Sequence, residues 1–135
     1  MGQQQLLLIV LSTVIVGIAI VAGINMFTEG STQNARLQME NQLMDVAGKA
    51  NIWRTKPAAM GGGGGSFVGV NTGALSITPD SVVVASISLT SVSGGAEVDI
   101  VLTGTVDGDA DGDSMQVTAT MDQSGTFTTG PVFTD

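Results

Sequence analysis

Hydrophobic residues dominate the first stretch of the chain. From Leu6 to Phe27 there is no charged side chain, and fourteen of the twenty-two residues are Leu, Ile, Val or Phe. On an insertion scale these residues contribute on the order of −4 to −8 kcal/mol before polar costs, and the stretch is long enough to cross a bilayer core of about 30 Å. A cleaved secretory signal would have a basic start and a shorter apolar run. The pattern therefore predicts a helix that lies in lipid or in a dry assembly.

Helical spacing continues beyond the apolar segment. Gly30 is expected either to bend the helix or to interrupt it, with Ser31 or Thr32 as the cap of a restarted helix. If continuous from Leu6 to Arg54, the helix is about 74 Å long, which is too long for a small domain to bury. Apolar residues then recur at steps of three and four, which predicts an amphipathic helix: Met39, Leu43, Val46 or Ala47, Ala50 and Trp53.

The spacing changes to a period of two after Pro57. This proline is expected to end the helix, and the glycines of "MGGGGGS" predict a hinge without helix or strand preference. Six segments rich in Val, Ile and Thr then read as short strands: "SFVGV", "ALSIT", "SVVVASISLT", "AEVDIVLTGTV", "MQVTATM" and "GTFTTGPVF". Together they predict a small antiparallel sheet or sandwich that packs one face on the amphipathic helix.

The predicted fold class is therefore α+β. A long N-terminal α-helix, first apolar and then amphipathic, precedes a small antiparallel β-sheet head domain. The predicted regions are an apolar transmembrane or filament-core helix (1–28), its amphipathic continuation (29–56), a Pro/Gly-rich hinge (57–66) and the β head (67–135).

Composition and charge exclude several classes of function. The chain has no His, Cys or Tyr, which removes disulfides, thiolate and imidazole metal sites and most nucleophile–base pairs. We therefore expect no enzymatic activity. From Pro57 to Asp135 there are nine acids and no base, so we expect no binding of nucleic acid by that half. The four bases all fall between positions 36 and 56: Arg36, Lys49, Arg54 and Lys56.

One motif, "DGDADGDS", has the opening of a calcium loop. Asp107, Asp109, Asp111 and Asp113 alternate in the D-x-D-x-D-G pattern, and a cation would relieve the repulsion among their carboxylates. The twelfth position is Thr118, where the loop requires a bidentate Glu. Two interpretations stay open: a solvated turn, since Asp-Gly favours tight turns, or a calcium site. Calcium is the one cofactor that the sequence suggests.

The N-terminal half resembles the type IV pilin family. The resemblance rests on Gly2, on the following "QQQLLLIVLSTVIVGIAIVAGINMF", and on the stripe through Met39, Leu43, Val46 and Trp53. The stretch "WRTKPAAMGGGGGSF" also looks like a block found in pilin-like bacterial proteins. The resemblance covers residues 1 to about 67, and the β region matches only in general character.

The resemblance implies a function and a set of residues. In that family a peptidase cleaves after a Gly that precedes the apolar segment, which implies processing between Gly2 and Gln3. The helix first anchors in the inner membrane, and an assembly machinery then bundles it with identical subunits in the core of an extracellular filament. At the position where the family usually carries a Glu this chain has Leu7, and the amides of Gln3–Gln5 are expected to supply hydrogen bonds instead. The core-packing residues implied are Leu7, Leu11, Val14, Ile18 and Val21.

The leading hypothesis is therefore the structural subunit of a pilus-like filament on the cell surface. Two alternatives stay open: a pseudopilin or minor subunit of a secretion system, and a membrane-anchored module with a calcium-binding β domain. A continuous second helical segment favours a filament subunit, because a plain anchor does not need one.

Overall fold

A computed structural model describes residues 2–79, 81–106 and 113–134 of the chain. One helix, α1, is followed by four strands that form one antiparallel sheet, so the predicted α+β class is confirmed. The elements are α1 (Gly2–Thr55), β1 (Val84–Val92), β2 (Glu97–Gly104), β3 (Gln116–Asp122) and β4 (Phe127–Thr134). Short 3-10 turns lie at Ala58–Met60 and Ser93–Gly95.

Helix α1 is continuous through Gly30, so the predicted interruption there is wrong. The Thr32 hydroxyl donates to the carbonyl oxygen of Thr28 at 3.1 Å, four residues earlier, as a threonine inside a helix does. It therefore does not act as a cap. A single glycine costs a helix only about 0.5–1 kcal/mol relative to alanine, which is too little by itself to end a helix.

The chain divides into two compact units, Met1–Asn34 and Ala35–Asp135. In the first unit every described residue is exposed except the half-buried Thr32. All the buried hydrophobic residues belong to the second unit, so the hydrophobic core of the described chain lies there.

The sheet follows chain order, β1-β2-β3-β4, with each strand antiparallel to the next. Burial alternates along β2 and β3, so that one face of the sheet is buried and the other is partly solvated. The buried face and one stripe of α1 share a single core. The predicted stripe is confirmed, because its members are all buried: Met39, Leu43, Val46, Ala47, Ala50 and Trp53, together with Ala35.

Two of the six predicted strands are wrong. The segments 66–70 and 74–78 contain no strand, and their backbone forms local turns. The Val70 N–H donates to the Phe67 carbonyl at 3.0 Å, and the side chain of Asn71 accepts a hydrogen bond from the N–H of Ala74 at 2.7 Å. Phe67, Val70 and Ile77 are nevertheless buried. The apolar pattern of these segments reflects core contact by an irregular chain.

The glycine run after α1 has backbone partners that its composition did not predict. The N–H groups of Gly63, Gly64 and Gly65 donate to the carbonyls of Trp53, Lys56 and Arg54 at 2.9, 3.0 and 2.8 Å. The last carbonyls of a helix have no partner within the helix. The run therefore caps the C-terminal end of α1, and its role as a hinge stays a prediction.

Candidate functional site

The most distinctive surface of the described chain is the apolar segment Leu6–Phe27 of α1. Its large hydrophobic side chains are between 51 and 80 % exposed. By length and composition α1 can cross a membrane, and no part of its most apolar stretch is buried. A helix that is hydrophobic on all sides needs lipid or protein around it. This segment is the candidate functional site.

The predicted core-packing residues lie in this segment, and all five are exposed. Their steps of four and three residues place them along one stripe of α1. Other large apolar residues cover the remaining sides of the helix, so the structure does not single out this stripe. The five residues are Leu7, Leu11, Val14, Ile18 and Val21.

Hydroxyl groups within and beside the apolar segment are satisfied inside the helix. Ser12 donates to the carbonyl of Leu8 and Thr13 to that of Val10, both at 2.8 Å. Thr28 donates to Ile24 at 3.0 Å. An unsatisfied hydroxyl is costly in a medium that cannot form hydrogen bonds. These three side chains therefore add little to the cost of placing the helix in a dry environment.

The predicted processing residues, Gly2 and Gln3, are the first two described residues of α1, and both are exposed. Gln3 and Gln4 also line a shallow surface depression with Leu7 and Leu8. Cleavage between Gly2 and Gln3 stays a prediction.

The predicted calcium ligands fall largely outside the described residues. Asp107, Asp109 and Asp111 are among those not described, whereas Asp113 is exposed and precedes β3. Asp113 lines a polar cavity with Thr103, Ser114, Gln116 and Thr134. In the described part of the chain, no group of three or more carboxylates is placed to hold a metal ion. Calcium binding stays a prediction.

A small groove lies in the second unit, beside the C-terminal end of α1. Its volume is about 180 Å³, and its lining comprises Lys49, Ile52, Trp53, Lys56, Ala74 and Leu75. Lys49 forms an ion pair with Asp45, with 2.9 Å between Nζ and Oδ2. The indole nitrogen of Trp53 is buried and has no hydrogen-bond acceptor among the described residues. Sequence reasoning missed this groove, because it depends on the loop that carries Leu75.

Carboxylates gather on the partly solvated face of the sheet. Glu97 of β2 lies directly opposite Asp122 of β3, and Asp99 is two residues further along β2. Asp122 accepts hydrogen bonds from the Ser124 hydroxyl at 2.5 Å and from the Thr126 N–H at 3.0 Å. These bonds, the Ser124 hydroxyl first, lower the pKa of Asp122 below its usual 3.8. Glu97 accepts hydrogen bonds from the hydroxyls of Ser93 at 2.9 Å and Thr128 at 3.4 Å. These bonds offset part of the repulsion between like charges on paired strands.

Comparisons with protein-family models, with curated proteins and with solved structures found no match to this chain.

Proposed function

We propose that this chain is the structural subunit of a type IV pilus-like filament. In this proposal the apolar segments of many copies form the core of a helical assembly, and the β domains form its surface. One observation carries the proposal: the exposed apolar segment Leu6–Phe27 continues, within a single helix, into the stripe that packs under the sheet.

The apolar segment must be covered by something other than water. Fully burying one large aliphatic side chain is worth about 1.5–3 kcal/mol, and this segment carries more than a dozen that are over half exposed. Lipid covers such a helix before assembly, and neighbouring copies cover it afterwards. Both surroundings are dry, and a helix satisfies its own backbone hydrogen bonds in either one.

The continuation of α1 into the β domain favours a filament over a plain anchor. A membrane anchor needs no second helical stretch, and a flexible linker serves it well. Here Met39, Leu43 and Val46 fix the β domain directly on the helix, since all three side chains are completely buried. A plain anchor does not require the β domain to pack on a continuation of the anchoring helix.

The proposal names partners and a location. The subunit resides in the inner membrane before assembly, passes through a pilus assembly machinery, and ends in a homo-oligomeric filament at the cell surface. Gly2 and Gln3 flank the processing site. The amides of Gln3, Gln4 and Gln5 form hydrogen bonds between neighbouring copies, at the end of the helix where the pilin family usually carries a Glu.

Electron microscopy and mass spectrometry of the same material test this function. Filaments are sheared from cells that make the protein, imaged in negative stain, and analysed for the N-terminus of their subunit. Thin uniform fibres built from this chain are expected, with Gln3 as the first residue. Fibres with Met1 or Gly2 retained would contradict the processing step alone. No fibres, with the protein confined to the membrane, would overturn the filament and favour the membrane-anchored module.

A further inference from the structure

We infer that the groove beside the end of α1 binds the acidic face of the sheet of a second copy of this chain. The groove is lined by Lys49, Trp53, Lys56 and their apolar neighbours. The acidic face is the Glu97–Asp122 pair with Asp99. This inference rests on the proposed function, and names a contact between neighbouring subunits.

The groove presents hydrogen-bond donors to its occupant. Among its lining side chains the exposed polar groups are the two lysine ammonium groups, which are donors, whereas the indole N–H of Trp53 is buried. The ammonium of Lys56 is exposed and has no ion-pair partner among the described residues, whereas Lys49 is paired with Asp45. Ile52 and Leu75 supply an apolar floor. Such a lining fits an acidic side chain with an aliphatic stem.

The charge distribution identifies the occupant. Every base of the chain lies between positions 36 and 56, and residues 57–135 carry nine acids and no base. The β surface of one copy therefore cannot neutralise its own carboxylates with bases from the same region. When many copies assemble, the basic stretch 36–56 of a neighbouring copy can supply the opposite charge.

The spacing of the two charge groups is compatible. Lys49 and Lys56 are seven residues apart, which is about 10 Å along a helix. Opposed residues on paired strands have Cβ atoms about 4.5–5.5 Å apart, and residues two apart on one strand are separated by about 7 Å. Flexible lysine side chains bridge the difference.

Charge substitutions at Lys56 test the contact in assembling cells. Lys56→Gln is expected to lower the yield of sheared filaments, measured per total subunit, about fivefold at low salt. The reason is that the contact between copies loses one exposed ion pair. Lys56→Glu is expected to lower it further. The combined Lys56→Glu and Glu97→Lys exchange is expected to restore most of the yield. Gln38→Glu is the matched control, because it changes the net charge by the same amount as Lys56→Gln at an exposed position outside the groove.

A crosslink separates this inference from the filament proposal. The chain has no cysteine, so single-cysteine variants give an unambiguous product. Cells co-produce Lys56→Cys and Glu97→Cys chains, are treated with mild oxidant, and yield a mixed 56–97 dimer in excess of both homodimers. Normal filaments from Lys56→Glu cells, together with no mixed dimer, would overturn the contact and leave the filament intact. A mixed dimer without filaments would support the contact and refute the filament.

Discussion

Gly63 lies against the indole ring of Trp53. A Cβ atom at Gly63 would be 2.6 Å from Cζ3 of the indole and 2.0 Å from the carbonyl oxygen of Ser66. The N–H of Gly63 also donates to the Trp53 carbonyl at 2.9 Å. The same residue pair therefore joins the end of the helix to the chain that follows it, through one ring contact and one hydrogen bond.

Gly63→Ala is expected to destabilise the β domain by about 1–3 kcal/mol, because the added methyl group clashes with the Ser66 carbonyl oxygen and overpacks the Trp53 ring. Gly48→Ala is the control: this helical glycine is exposed and has open space around it. It should stabilise by about 0.5–1 kcal/mol through helix propensity. Denaturant unfolding in detergent, followed by Trp53 fluorescence, measures both. Equal stabilities for the two variants would argue against the close contact.

Two leucines on different sides of α1 are expected to differ in their effect on stability. Leu43 is completely buried under the sheet, whereas Leu37 is 58 % exposed. Leu43→Ala should cost about 2–5 kcal/mol, from lost transfer free energy and the cavity that remains. Leu37→Ala should change the free energy of unfolding by less than about 0.5 kcal/mol, as surface substitutions do. Thermal unfolding of the two full-length variants compares them directly, and a large effect at Leu37 would contradict the assigned burial.

The hydrogen bonds of Asp122 predict a pH dependence of stability. Its pKa is lowered in the folded state, so the unfolded chain binds a proton more readily. The stabilisation is fully present above the unfolded value near 3.8 and is lost as pH falls through the lower folded value. Asp122→Asn should therefore reduce the stability difference between neutral and strongly acidic pH.

Ser124→Ala provides the companion measurement for this turn. It removes the hydroxyl that lowers the pKa of Asp122 most, so the pKa should rise towards its ordinary value. NMR titration of the Asp122 carboxyl group in both proteins detects the change. An unaltered pKa in the variant would show that the Ser124 hydroxyl does not bind this carboxylate.

A charge in the apolar segment is expected to weaken membrane insertion. Ile18 lies in the middle of Leu6–Phe27, where a lysine costs about 2.5–3.5 kcal/mol on an insertion scale. Ile18→Lys should shift the protein out of the carbonate-resistant membrane fraction. Gln4→Lys, near the start of α1, should leave it there, because a lysine at a helix end reaches the membrane surface. Equal membrane retention of the two variants would contradict a membrane-spanning segment.

Much of the fold could be predicted from local patterns. Met39, Leu43 and Trp53 recur at helical spacing before a proline, which predicts a helix. The segments around Ile87 and Ile100 alternate between apolar and polar residues, which predicts strands. The predicted strand that contains Phe67 and Val70 is wrong, because apolar residues in a buried loop have the spacing of a short strand. Burial is a tertiary property, and the residue pattern does not distinguish the two cases.

The candidate sites also differ in whether the sequence alone predicts them. The apolar segment was predictable because composition alone defines it. The ordered glycine run was not, since its order depends on carbonyls of α1 and on the ring of Trp53. The groove with Lys49 and Lys56 was also missed, because Leu75 completes it only after the loop folds back onto the helix.

The hydroxyls of Ser12, Thr13 and Thr28 remain bound to the carbonyls of their own helix whatever surrounds it. In the proposed assembly, this helix moves from lipid to a bundle of copies. These hydroxyl groups neither gain nor lose water in that transfer, so its heat-capacity change should be small. Hydrophobic free energy cannot set the direction of such a step, since both surroundings are equally apolar. Packing between copies, or work done by the assembly machinery, must set it, and the enthalpy of the transfer should change little with temperature.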